Sequence, residues 1–165
     1  MRMKTIIGID PGKSGGVAVC QFGKVDCSAM PATDGDVLGL LRDIRTADVE
    51  EGGAVETTCV LEKVSGFAGK GQPGSAMFVF GENSGFIKGV AQALGMKLVL
   101  VTPQKWQKYY GLGTASACAS KPVWKNKLKA EAQRRFPELR VTLATADALL
   151  IMEYGRQEQG ARNQG

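Results

Sequence analysis

Two short apolar runs, each closed by a carboxylate, constrain this chain more than any other feature. Thr5-Ile6-Ile7-Gly8-Ile9 ends at Asp10, and Thr57-Thr58-Cys59-Val60-Leu61 ends at Glu62. Both are too short for helices and too uniformly apolar for strands with one wet face, so they read as buried central strands. Pro11 to Gly16 is a turn. Val17–Cys20 and Lys24–Ser28 continue as strands, giving two successive antiparallel hairpins. An amphipathic helix follows, N-capped by Asp36, with Val37, Leu40, Leu41 and Ile44 on one side. Gly52-Gly53 ends it before the second run.

Downstream of Glu62 lies a Gly-rich loop, Ser65 to Gly74, containing Phe67 and Lys70. Ser75 begins a helix reaching about Leu94, along which Gly81, Gly85 and Gly89 recur every four residues. Glycine costs helix propensity, so this smooth stripe calls for close packing, either onto the sheet or against another subunit. Lys97–Val101 is a strand. Pro103 opens a short helix with Trp106 and Tyr109. Trp106 and Trp124 are expected in the core or an interface. A basic helix spans about Pro122 to Phe136, and Thr142 caps a last helix to about Tyr154. Residues 1–156 read as a single domain and 157–165 as a disordered tail.

The chain of 165 residues has no histidine. Ser-His, Cys-His and histidine-metal chemistry are thereby excluded. The four cysteines, at 20, 27, 59 and 118, form no C-x-x-C pair, and Cys20 and Cys59 read as small buried apolar groups. No apolar run has the length of a membrane span. Met1-Arg2-Met3-Lys4 leads straight into a strand-like run too short for a signal-peptide core, so a cytoplasmic location is expected.

The net charge of +5 is unevenly placed. Residues 103–135 hold Lys105, Lys108, Lys121, Lys125, Lys127, Lys129, Arg134 and Arg135 against Glu131 alone, or +7; the remaining 13 basic and 15 acidic residues give −2. Such a segment is either a solvated helix face or a surface for a polyanion, and the lopsidedness favours nucleic acid.

Asp10 and Glu62 close two central strands, and ligands of open α/β sheets gather at strand ends. Asp147 shares a helix face with Leu150, Ile151 and Tyr154, so its carboxylate points inward. Alone, each has a plain explanation: Asp10 as a turn-former, Glu62 as a partner of a lysine, Asp147 as a helix-dipole acid. Together they form a set of hard oxygen donors suited to Mg²⁺, with Mn²⁺ able to substitute, and two such ions can assist phosphodiester hydrolysis.

Ile7-Gly8-Ile9-Asp10-Pro11-Gly12, Val60-Leu61-Glu62-Lys63-Val64 and Thr145-Ala146-Asp147-Ala148-Leu149-Leu150 resemble, in order and spacing, the acidic motifs of the RuvC family of Holliday-junction resolvases. The glycine-bearing helix and Val101-Thr102-Pro103-x-x-Trp106 resemble its phage and plastid-type branch. The resemblance covers about residues 5–156. It implies an RNase H-like α/β fold, a five-stranded mixed sheet flanked by helices on both faces. It further implies a homodimer that cuts two strands of four-way or branched DNA and leaves 5′-phosphates. Asp10, Glu62 and Asp147 would hold two Mg²⁺ ions per site, and Lys125 would sit near the scissile phosphate. A fourth acid or histidine usually precedes the last aspartate by three or four residues. Ala144 and Leu143 stand there instead, leaving Glu153 or a water as the replacement.

Lys105, Lys108, Lys121, Lys127, Lys129 and Lys70 are the expected DNA contacts, and Phe67 either stacks on a junction base or is buried. An ATP-dependent phosphotransferase of the sugar-kinase and actin type shares only the Ile9-Asp10-x-Gly12 turn. It needs a second lobe that this length does not provide, so no nucleotide cofactor is expected. A broader branched-DNA nuclease and a non-catalytic junction-binding module remain the alternatives.

Overall fold

The apolar runs pair into one sheet. In the computed structural model, which describes residues 3–51, 55–63 and 74–161, β1 (Lys4–Asp10), β2 (Gly16–Gln21), β3 (Lys24–Ala29), β4 (Glu56–Glu62) and β5 (Lys97–Val101) lie in the order β3-β2-β1-β4-β5. β1–β2 and β2–β3 are antiparallel hairpins, whereas β1–β4 and β4–β5 are parallel. Helices α1 (Asp34–Glu50), α2 (Gly74–Ala93), α3 (Pro103–Tyr109), α4 (Lys121–Arg135) and α5 (Leu143–Ala161) complete the chain.

Strand periodicity sorts the core into two layers. Ile7, Ile9, Cys59 and Leu61 pack with Val37, Leu41 and Ile44 of α1 and with Ile87 and Ala91 of α2. Ile6 and Val60 face the other way, into a cluster with Trp106, Trp124, Leu128 and the apolar face of α5. Successive strand residues alternate faces, so Asp10 and Glu62 fall on the same side as Ile6 and Val60, the α5 side. Cys20 and Cys59 are buried, and all four cysteines are free.

Gly8 sets how closely α5 approaches. A Cβ there would lie 2.6 Å from Met152 Cβ and nearer still to Met152 N and Ala148 O. Backbone therefore rests on backbone where β1 crosses α5. On the opposite layer, Asp48 of α1 is fully buried and accepts from Thr5 Oγ1 at 2.7 Å, Thr57 Oγ1 at 2.5 Å and Gln21 Nε2 at 2.8 Å. That network ties α1 to β1, β2 and β4 and satisfies a buried charge.

Two expectations need correction, and one pair of alternatives is narrowed. The cap of α1 is Thr33, whose Oγ1 accepts the Asp36 N–H at 3.1 Å while donating to the Asp36 carboxylate at 2.6 Å. Asp36 is thus the partner of the cap, not the cap itself. The stripe on α2 does not pack on the sheet: Gly81, Gly85 and Gly89 are exposed, and a Cβ at any of them would meet nothing within 4 Å among the described residues. The last helix does not stop at Tyr154 but runs to Ala161, because Gln159 is buried and holds Lys97 Nζ at 3.3 Å through its side chain. No described helix is long and apolar enough to cross a membrane.

Candidate active site

Asp10 and Glu62 directly follow Ile9 and Leu61, which are register partners on adjacent parallel strands. The two carboxylates therefore stand side by side at one end of the sheet, on the α5 face. Asp147 enters from the first turns of α5, one residue before the Ala148 carbonyl that overlies Gly8. Its side chain is nearly sealed from solvent at 4% exposure, and its Oδ1 has no hydrogen-bond partner among the described residues. Lys125 reaches in from α4, which packs on α5 through Trp124, Leu128 and Ala132, and its ammonium pairs with Asp147 Oδ2.

The electrostatics follow from crowding three acids around one cation. Burial first, then the Glu62 and Asp147 charges, push Asp10 up from 3.8 to about 8 against the opposing pull of Lys125. Burial likewise raises Glu62, opposed by its hydrogen bond from Trp106. Burial alone would depress Lys125, but Asp147, then Asp10 and Glu62, hold its ammonium above the ordinary lysine value. The cluster carries more negative charge than its one lysine can neutralise, the condition that divalent cations relieve.

Among the described residues, no three His, Cys, Asp or Glu side chains converge tightly enough to enclose an ion as they stand. Asp147 is turned to Lys125, and Glu62 Oε2 is taken by Trp106 Nε1 at 2.7 Å. The donor set nevertheless suits Mg²⁺ or Mn²⁺. All three acids offer hard oxygens, Asp147 Oδ1 is buried without a partner among the described residues, and Asp10 is a destabilised anion. Glu153 does not supply the missing fourth acid: it is buried and bound by Arg156 and Gln157.

Three residues of the site's surroundings were not anticipated as such. Trp106 is core, as its sequence context suggested, but it also donates to Glu62. Asn83 of α2 accepts the Gly12 N–H at 2.9 Å, and the Phe80 ring lies 2.6 Å from where a Gly12 Cβ would be. Gly12 has φ +102°, which excludes most other residues, so the turn after Asp10 is clamped from α2. Nothing short-range in the sequence links positions 71 residues apart.

Of the basic residues, Lys105, Lys108, Lys121 and Lys127 are exposed and Lys129 is half-buried. Lys127 Nζ also donates to Leu112 O at 2.6 Å. Arg134 and Arg135 are both engaged by Glu131, so the free positive surface of α4 is its lysine-bearing part. Phe67 and Lys70 lie outside the described residues.

Sheet order, mixed strand direction and helices on both faces define an α/β RNase H-like fold. The chain is similar in structure to RuvC from Thermus thermophilus, with a TM-score of 0.54, 15% identity, and coverage of 94% of this chain and 96% of that one. It is similar also to T. thermophilus RuvC in complex with Holliday junction substrate, with a TM-score of 0.55, 15% identity, and coverage of 91% of each chain. No family model matches the chain, and no curated protein sequence matches it significantly.

Proposed function

We propose that this protein is a divalent-metal-dependent endonuclease that resolves Holliday junctions, hydrolysing one phosphodiester per active site and leaving 5′-phosphates. One observation carries the reading: carboxylates from β1, β4 and α5 gather beside a single lysine at one end of an RNase H-like sheet. The junction-bound structural neighbour supports branched DNA as the substrate class.

Asp10, Glu62 and Asp147 would hold the ions. Bound Mg²⁺ supplies a Lewis acid for the phosphate oxygens and an activated water. The chain's own groups do the rest. Asp147 and Glu62 present oxygens at the sheet end, and Lys125, which reaches the same point from α4, would stabilise charge on the phosphate. Lys105, Lys108, Lys121, Lys127 and Lys129 hold the flanking backbone through salt-sensitive contacts. A synthetic four-way junction, incubated with Mg²⁺ or Mn²⁺, tests the proposal, and a folded protein that leaves it uncut in both would overturn it. Lys125→Met is expected to lower turnover by roughly 10²–10³-fold, as for loss of one charge-stabilising donor. It should also strengthen Mn²⁺ binding, because the competing ammonium is gone; unchanged turnover would remove Lys125 from the reaction.

Cutting two strands calls for two such sites, and a second copy of the chain fits the α2 stripe. Gly81, Gly85 and Gly89 leave that face open to close backbone approach, and Phe78 beside them is 67% exposed. Sedimentation should give twice the 17.5 kDa of one chain; a monomer at micromolar concentration would contradict the assembly.

The Lys125–Asp147 pair also favours a second reading, a junction-binding module without catalysis, since a lysine already serves as the counter-charge. Intact junction binding with no Mn²⁺ uptake would select it.

A further inference from the structure

Trp106 contributes a buried polar group that the proposed reaction leaves without a task. It is fully buried on α3, a helix started immediately after β5 by the Thr102 cap and Pro103. Its ring packs edge-on against Tyr110, with centroids 6.4 Å apart and planes at 72°. The benzene side belongs to the apolar cluster beneath α5, while the N–H leaves that cluster and donates to Glu62 Oε2 at 2.7 Å.

An indole N–H can only donate, and it can neither ligate a cation nor move a proton at neutral pH. Its bond to Glu62 thus runs in one direction only, from indole to carboxylate. Glu62 sits on the last residue of β4, where its long side chain would otherwise sample several rotamers. With Oε2 drawn to the indole, Oε1 takes no hydrogen bond from any described residue.

We propose that Trp106 is a positioning residue that fixes the Glu62 carboxylate so that its other oxygen is presented to a divalent cation. The inference rests on the nuclease reading of the same site. Outer partners of ligating groups tune metal affinity and activity by roughly 10–100-fold, and Trp106 belongs to that range.

The test compares full-length wild type with Trp106→Phe, which keeps an aromatic ring in the core and removes the N–H. Mn²⁺ affinity is read from the electron paramagnetic resonance signal of the free ion, and junction cleavage is followed across Mn²⁺ concentrations. The variant should bind Mn²⁺ roughly 10–100-fold more weakly and recover much of its cleavage rate at saturating Mn²⁺. A folded variant with wild-type Mn²⁺ affinity overturns the inference, because a purely packing role would change melting temperature alone. Should Trp106→Phe fail to fold, the wild-type indole resonances decide, with Trp124→Phe assigning the pair. The Trp106 indole proton should exchange slowly and should shift in Glu62→Ala. Fast exchange with no shift overturns the inference. Wild-type protein that takes up no Mn²⁺ sinks the nuclease reading and this inference together, whereas wild-type uptake with an unaffected variant sinks this inference alone.

Discussion

Asp10→Asn is expected to abolish junction cleavage while making the metal-free protein harder to melt. The first half follows from losing one of three charged oxygen donors, an effect of several kcal/mol on transition-state charge, or roughly 10³-fold or more in rate. The second half follows from the crowding at the sheet end. Asp10 is held at about 8 in the folded protein, against 3.8 for the ordinary side chain, chiefly by burial and by Glu62 and Asp147. A folded protein that binds a proton more tightly than its unfolded chain loses stability as pH rises through that interval. Asp10 therefore favours folding most below pH 3.8, and its contribution drains away up to about pH 8. At one pH unit per roughly 1.4 kcal/mol, and allowing for partial solvent access, the strain at pH 8 is on the order of 3 kcal/mol. Asparagine carries no charge and escapes it. Metal-free Asp10→Asn should then melt roughly 6–12 °C above wild type at pH 8, and the two should converge towards pH 4. Saturating Mg²⁺ should reverse the order, because only wild type gains the full binding energy. A wild type that melts as high as the variant at pH 8 without metal would show that the three acids do not repel one another as described.

The parts of this site legible in the sequence are those written in local pattern. A short apolar run closed by an acid identifies both a central strand and the end at which its side chain stands, which is why Asp10 and Glu62 could be placed together. The i+3, i+4 and i+7 neighbours of Asp147 likewise turned it inward. What could not be read are pairings fixed only by tertiary packing. Trp106 and Glu62 are 44 residues apart, and Lys125 and Asp147 are 22 apart. A basic residue expected on the phosphate could not also be recognised as the ion-pair partner of an acid. The α2 stripe shows the same limit in another form. Its smoothness was visible in the spacing of Gly81, Gly85 and Gly89, but spacing does not say which face meets the sheet, and Ser84, Ile87, Val90 and Ala91 turned out to be the buried ones. Asp48 was missed altogether, since a lone acid near the end of an amphipathic helix reads as solvated until Thr5, Thr57 and Gln21 are seen around it.

Gly8→Ala should be a severely damaging single-methyl change, although it alters no charge and touches no DNA. In β1 the residue faces α5, and an added Cβ would sit 2.6 Å from Met152 Cβ, with Met152 N and Ala148 O closer still. Two of these neighbours are helix backbone, which no rotamer change can move, so α5 as a whole must shift away from the sheet. Overpacking of a rigid core typically costs about 1–3 kcal/mol, and the upper end or beyond applies where backbone is the obstacle. A fall in melting temperature of roughly 6–12 °C follows. The displacement also carries Asp147, which lies one residue from Ala148, away from Asp10 and Glu62. A misplacement near 1 Å can cost about 10²-fold in rate, so the folded fraction at low temperature should still cut poorly. Gly39→Ala provides the contrast. Its Cβ would meet nothing within 4 Å in the interior of α1, and replacing a helical glycine by alanine should stabilise by roughly 0.5–1 kcal/mol. If Gly8→Ala melts and cuts like wild type, then α5 does not rest on β1 as closely as the sheet geometry requires, and the path by which Asp147 reaches the other two acids is lost with it.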